Sequence, residues 1–273
     1  MTTTLPRILP IFVLCLTFTA HAQQNFIQSW QARATATQAA QPHWVTPLAT
    51  VTPRLEQEFR TDFDRQITAA HTTTWNYGGG KGLELIPTRR IELLFNVPPY
   101  LQHNSAARDG FGDTTLLMKY RIFARNEQHG NAILTAFFGG TIPTGSYNNG
   151  STEALLHPTL AGGKGIGRFD AQSTLGANLP IANSDKLGRS IAWNTALQYH
   201  IGHAFFPEVE FNTTFYKGGP HDGKTQNFIT PGLVGHWKLH NRLGVTLGAG
   251  MQIATSAYHS YDHGLILSAR MPF

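Results

Sequence analysis

Leu243-Gly244-Val245-Thr246-Leu247-Gly248-Ala249-Gly250-Met251-Gln252-Ile253 reads at period two. Leu243, Val245, Leu247, Ala249, Met251 and Ile253 fall on one side. Thr246, Gly248, Gly250 and Gln252 fall on the other. Successive side chains of a strand point to opposite faces, so this stretch is a strand with one apolar face. The same alternation returns in Ile191–Ile201, Val209–Phe215, Phe169–Ile181 and Leu116–Ile122. No helical stripe of comparable quality appears beyond Arg54.

Working outward, the pattern predicts about twelve strands: Arg54–Asp64, Ile67–Tyr77, Leu83–Val97, Asp113–Phe123, Asn131–Ile142, Ala154–Gly163, Phe169–Ile181, Ser190–Gly202, Phe205–Lys217, Asn227–Leu239, Leu243–Thr255 and His263–Phe273. Most approach the ~9–11 residues that a tilted membrane-spanning strand needs. Short links (Gly78–Gly82, Ile166–Arg168, His203–Ala204, His240–Arg242) alternate with longer ones (Pro98–Gly112, Pro143–Glu153, Ala182–Arg189, Gly218–Gln226, Ser256–Asp262). A barrel with short turns at one end and long loops at the other predicts that alternation. Pro87, Pro158 and Pro231 fall inside strands, where bulges are expected. The fold expected is all-β: a transmembrane, antiparallel, up-and-down β-barrel over residues 51–273.

The N-terminus supports export. Arg7 precedes the apolar run Ile8–Phe18, and Ala20-His21-Ala22 offers a small-x-small cleavage site, the layout of a signal peptide over residues 1–22. The run is too short to span a bilayer as a helix, which takes about 20 residues. Cys15, the only cysteine, lies inside this leader behind a bulky Leu14, so neither disulfides nor a lipoprotein site are expected of the mature chain. Residues 23–50, rich in Ala, Gln and Thr, read as a periplasmic tail or a short helix ending before Pro42, with plugging or lining a pore as the functional alternative. Charged residues make up 14%, well below the ~25% of soluble domains. Thr, Asn, Gln, Ser and Gly fill the positions between apolar ones, as a barrel apolar outside and polar inside requires. The formal charge of +5 includes Arg7. Lys and Arg are scattered without a basic stripe, which argues against nucleic acid.

The last strand runs Leu265, Leu267, Ala269, Met271, Phe273. A terminal Phe on such a strand is similar to the signal read by outer-membrane assembly machinery. Further motifs resemble one family, the MetA-pathway-of-phenol-degradation group of outer-membrane transporters. They are Gly110-Phe111-Gly112-Asp113 running into Leu116, Lys119-Tyr120-Arg121, Ile142-Pro143-Thr144-Gly145, Gly162-Gly163-Lys164 before Arg168-Phe169-Asp170, and Leu179-Pro180. The likeness covers most of residues 42–273. It implies an outer-membrane barrel and an association with aromatic catabolism. It names no substrate and brings no catalytic residue.

Other chemistry finds little support. Gly162-Gly163-Lys164-Gly165 lacks the spacing and the following helix of a phosphate loop. His259, Asp262 and His263, and His221-Asp222, put too few ligands on loops for a metal site. Ser260 beside His259 is no nucleophile–base pair, because neighbours in an extended chain point apart. No enzyme activity, cofactor or metal is expected.

The face expected to line the lumen carries Glu56, Glu58, Arg60, Asp62, Arg90, Glu92, Lys119, Arg121, Asp170, Glu208, Glu210, His236, Lys238 and Arg270. Seven acids and six permanent bases nearly balance, which argues against strong ion selectivity. Opposed charges can line a polar pore or pair and fill a narrow one. The function expected is a passive outer-membrane channel for small molecules, hydrophobic or aromatic ones included. The alternative is a non-transport barrel, either a lipid-active enzyme or a surface scaffold. Expected partners are outer-membrane lipid, the barrel-assembly machinery and a small-molecule solute.

Overall fold

The computed structural model describes residues 25–273. The leader and its site at Ala20 and Ala22 lie outside the described residues. Helix α1 (residues 25–39) is followed by an extended stretch and then by strand segments. These are β1 (Glu58–Ile67), β2 (Thr73–Gly78), β3 (Gly82–Thr88), β4 (Ile91–Asn96), β5 (Tyr100–His103), β6 (Gly110–Phe111), β7 (Thr114–Arg125), β8 (Ala132–Ile142), β9 (Leu155–Ile166), β10 (Phe169–Pro180), β11 (Arg189–Tyr199), β12 (Phe205–Lys217), β13 (Thr225–His240), β14 (Leu243–Ala254) and β15 (His263–Pro272).

Fifteen segments make twelve traverses. β1 pairs with β2 over Asp62–Ile67 and with β3 at Glu58 and Phe59, so β2 and β3 are halves of one traverse. β5 and β4 pair with these halves in turn, and β6 and β7 with those. From β7 to β15 each strand pairs antiparallel with the next. β15 then closes on β1, from Glu58↔Pro272 to Ile67↔His263. Closure leaves no long edge unpaired, the condition for a sheet in hydrocarbon.

Twelve traverses were expected, but the first three divide differently. Leu83–Val97 is not one strand: a turn at Arg89-Arg90 splits it into β3 and β4, with the Thr88 hydroxyl accepting from the Ile91 amide at 3.1 Å. The hairpin keeps odd residues outward on both sides, pairing Leu83 with Phe95 and Leu85 with Leu93. Period-two alternation therefore runs through it unbroken. The supposed turn at Gly78–Gly82 is instead a break within a traverse. Gly79 and Gly80 adopt φ of 60° and 67° there, and a Cβ on Gly79 would meet Asp62 at 2.5 Å. Only glycine fits that break cheaply. A register shift does occur between Leu85 and Thr88, around Pro87. Pro158 and Pro231 sit in ladders of unshifted register, so the bulges expected at them are absent.

The wall has the expected two faces. Leu247, Leu197 and Phe211 are exposed on the outside, while Gln198 and Thr246 are buried inside. Outward aromatics pair near the short-turn end, Phe169 with Tyr199 at 4.6 Å and Phe205 with Trp237 at 5.9 Å. Tyr100 and Phe111 pair at 5.3 Å in the two strands that flank the long loop 104–109. An apolar band between aromatic girdles is the surface of a bilayer-spanning barrel.

Candidate functional site

Residues 41–57 do not hang outside the barrel; they cross its lumen as a strap. The sequence makes this segment extended. Pro42, Pro47 and Pro53 lack amide hydrogens and hold their preceding residues out of the helical region. Such a chain can complete neither a helix nor a ladder, so side chains must satisfy its buried backbone groups. Those side chains come from around the wall.

Carbonyls are held by cations and donors. Arg270 donates to the Thr46 carbonyl and, at 2.8 Å, to that of Pro47. Arg60 reaches the Leu48 carbonyl at 2.6 Å and Gln172 the Val45 carbonyl at 2.9 Å. Thr135 donates to the Pro53 carbonyl and Lys119 to that of Arg54, at 2.6 and 3.2 Å. Amides are held by acids. The Leu48 N–H donates to Glu208 at 3.0 Å, and those of Ala49 and Thr50 to Glu210 at 2.7 and 2.6 Å. Glu92 accepts from the Glu56 amide. Ion pairs inside the wall set these groups: Arg60 with Asp62 at 2.7 Å and Lys119 with Glu92 at 2.9 Å.

Two side chains of the strap enter glycine sockets. A Cβ on Gly232, Gly248 or Gly250 would lie 2.5–2.6 Å from Leu48. One on Gly163 would lie 2.5 Å from the Trp44 ring. Leu48 packs there with Val45, Phe206, Val234 and Ile266 in a small buried core. α1 lies over the short-turn end. Ala34 packs with Leu55 and Ile86, and Arg121 donates to the Thr37 carbonyl at 2.8 Å. His43 pins the strap to the turn after β7 by its amide and ring, 2.6 and 2.7 Å from the Glu127 carboxylate. Glu127 is pushed up by partial burial, but the hydrogen bonds from His43 outweigh this and hold it below the usual carboxylate value.

Cavities open on both sides of the strap. One of about 640 Å³ lies at the short-turn end, against Trp44, Glu58, His200 and His236. One of about 240 Å³ lies towards the long-loop end, lined by Val51, Leu94, Leu117 and Phe137 together with His157, Asn194 and the charged Arg60, Lys81, Glu84 and Lys119. Thr46 borders both, so at that point the strap is the partition.

Of the expected lumen residues, Glu58, Arg60, Asp62, Glu92, Lys119, Arg121, Asp170, Glu208, Glu210 and Arg270 are buried inside the wall. Glu56 is also inside, but on the strap, because the wall begins at Glu58 and not at residue 51. His236 is half-buried, 2.8 Å from the Thr246 hydroxyl. Arg90 and Lys238 do not reach the lumen interior: Arg90 stands in the β3–β4 turn, and Lys238 is exposed near the end of the long strand β13. The expected lumen set left out Glu84, Gln172 and Thr135, all buried inside. Glu84 shares its even parity with Glu92, so the alternation could have found it.

Two features outside the lumen explain quoted motifs. Asp113 accepts from the Gly145 amide at 2.8 Å and from the Ser151 amide at 2.6 Å, which ties the two Gly-rich motifs into one loop anchor. Phe273 donates its amide to the Gln57 carbonyl at 3.1 Å, and its own carbonyl accepts from Arg242. His259 and Asp262 pair at 2.8 Å; among the described residues no three His, Cys, Asp or Glu side chains converge as metal ligands.

Residues 50–262 match the family described as "Putative MetA-pathway of phenol degradation". No curated protein matches. Among solved structures, the chain is similar in fold to the COG4313 outer membrane channel from Pseudomonas putida F1, with 16% identity and a TM-score of 0.59 over 84% of this chain and all of that one. The NanC porin aligns with 9% identity and a TM-score of 0.49, over 78% of this chain and 98% of that one.

Proposed function

The chain belongs to the MetA-pathway-of-phenol-degradation family, and from that premise we propose a passive outer-membrane channel for small molecules, shut at rest by its own strap. The observation that carries this reading is the strap residue Thr46, which borders a cavity on each side. The groups that hold the strap are mostly charged: Arg60, Arg270, Glu208 and Glu210. Charged groups regain hydration when a strap leaves and water enters, so displacement exchanges hydrogen bonds and does not orphan them. A barrel of about twelve strands lies between filled eight-stranded and open sixteen-stranded ones. The loop-side cavity, lined by Val51, Leu94, Leu117 and Phe137 and also by the charged Arg60, Lys81, Glu84 and Lys119, suits a small solute that is part apolar, an aromatic ring included, and carries a polar or charged group. Helix α1 and the end of β15 lie at the short-turn end, which we assign to the periplasm.

Liposome swelling tests the reading. A variant lacking residues 23–53 should admit phenol-sized solutes several-fold faster than the full mature chain. Equal, background rates in both would defeat a channel. The strap's occupancy of the lumen also suits a non-transport barrel; lipase or protease activity in the silent preparation would support that reading instead.

A further inference from the structure

Helix α1 carries one face that changes surroundings along its length. Phe26, Ile27, Trp30, Ala34 and Thr37 recur at helical spacing on that face. At its inner end Ala34 and Thr37 are fully buried against the barrel. In the middle, Trp30 is half-buried, and its indole N–H donates to Gln57 at 2.7 Å. Gln57 is the rim itself, the residue before β1, whose carbonyl accepts from the Phe273 amide. One turn further out, Phe26 and Ile27 are 62% and 47% exposed. The face that looks at the barrel mouth inside the rim must look, outside it, at whatever surrounds the barrel there.

What surrounds the rim is marked by the wall. Phe59 and Met271, cross-strand partners one residue into β1 and β15, are outward and exposed, as part of the apolar band. Phe26 and Ile27 stand on the same helix face one turn beyond Trp30, which is itself bonded to the rim residue Gln57. The Phe26 and Trp30 rings lie 5.9 Å apart, and the Arg33 guanidinium sits 4.9 Å over the Trp30 ring. Aromatic residues with a nearby cation favour the headgroup level of a membrane.

We propose that the first turn of α1 is a lipid-binding anchor, in which Phe26 and Ile27 enter the phospholipid leaflet at the short-turn end. The inference rests on the barrel lying in a bilayer and not on its conducting. The anchor would fasten the outer end of the strap to the membrane, so that the helix is held by the barrel on one side and by lipid on the other. The opposite face, with Gln28 and Ala32, stays in water.

Single cysteines test this in the chain starting at Gln23, which has no cysteine of its own. An environment-sensitive dye is placed at Ile27→Cys, at Ala32→Cys, and at Leu247→Cys on the outer wall. The proteins are reconstituted in phosphatidylethanolamine–phosphatidylglycerol vesicles. The dye at 27 should show blue-shifted emission and several-fold stronger quenching by spin-labelled lipid than the dye at 32. Equal, water-like signals at 27 and 32 with strong lipid quenching at 247 overturn the anchor while leaving the barrel in its bilayer. Loss of lipid quenching at 247 as well overturns the bilayer placement and the anchor with it.

Discussion

Leu48 shows how one residue fixes the strap. Three glycines from two strands leave room for its side chain, and its amide and carbonyl are taken by Glu208 and Arg60. The outward residues carry a different burden. Leu247→Arg would place a charge against lipid and should cost about 2–4 kcal/mol of folding into bilayers. Asn194→Arg, on the lumen side beside the loop-side cavity, should fold nearly as well as wild type and alter the lumen. Urea titration of folding into vesicles checks this, and the reverse ranking would show the strand phase to be wrong. The His43–Glu127 pin makes a pH prediction. Since Glu127 is held below its unfolded value of 4.5, the stability it adds is present above that value and lost as pH falls through the lower folded one. Acidification should therefore loosen the strap in wild type. Glu127→Gln should already be loosened and show no matching acid step. Identical protease-sensitivity profiles at residues 41–57 in both proteins would dismiss the pin.

At the scale of elements, the strands were legible where burial on one face alone decided the residue. β10 to β15 fall close to where alternation puts them. The failures have a common cause. A two-residue turn pairs residues of opposite parity, as Thr88 with Ile91, but the register shift around Pro87 restores it, as Leu85 with Leu93, so the Arg89-Arg90 hairpin left no mark in the pattern. The strap was legible only as proline spacing, because wall side chains bind its backbone and backbone groups leave no side-chain signature. Its wall ligands were visible as charges on the lumen parity, but their partner was not. The last strand carries its own prediction. β15 must close on β1, and Phe273 ends the seam, tied to Gln57 and Arg242. Unpaired backbone in hydrocarbon costs several kcal/mol per group, so a recognition signal for assembly belongs on this strand. Deleting Phe273 should leave export intact and lower the folded, outer-membrane fraction on a heat-modifiability gel. Equal folded amounts would remove Phe273 as that signal.

At the scale of the whole molecule, the barrel and its strap are one device. The wall supplies a closed ladder and an apolar exterior, and the lumen supplies charges in near balance. The strap consumes those charges in both signs, carbonyls to cations and amides to carboxylates. That arrangement carries the strap through a polar interior without filling it with apolar side chains, and it leaves a cavity on each side. The claim that the strap is the gate is tested most directly by single-channel recording in planar bilayers. Wild type is compared with Gly250→Val, which crowds the Leu48 socket, and with the chain lacking residues 23–53, each first shown to be folded by heat modifiability. The account predicts rare, brief openings in wild type and stable, larger conductance steps in both variants. Folded variants as silent as wild type would contradict it.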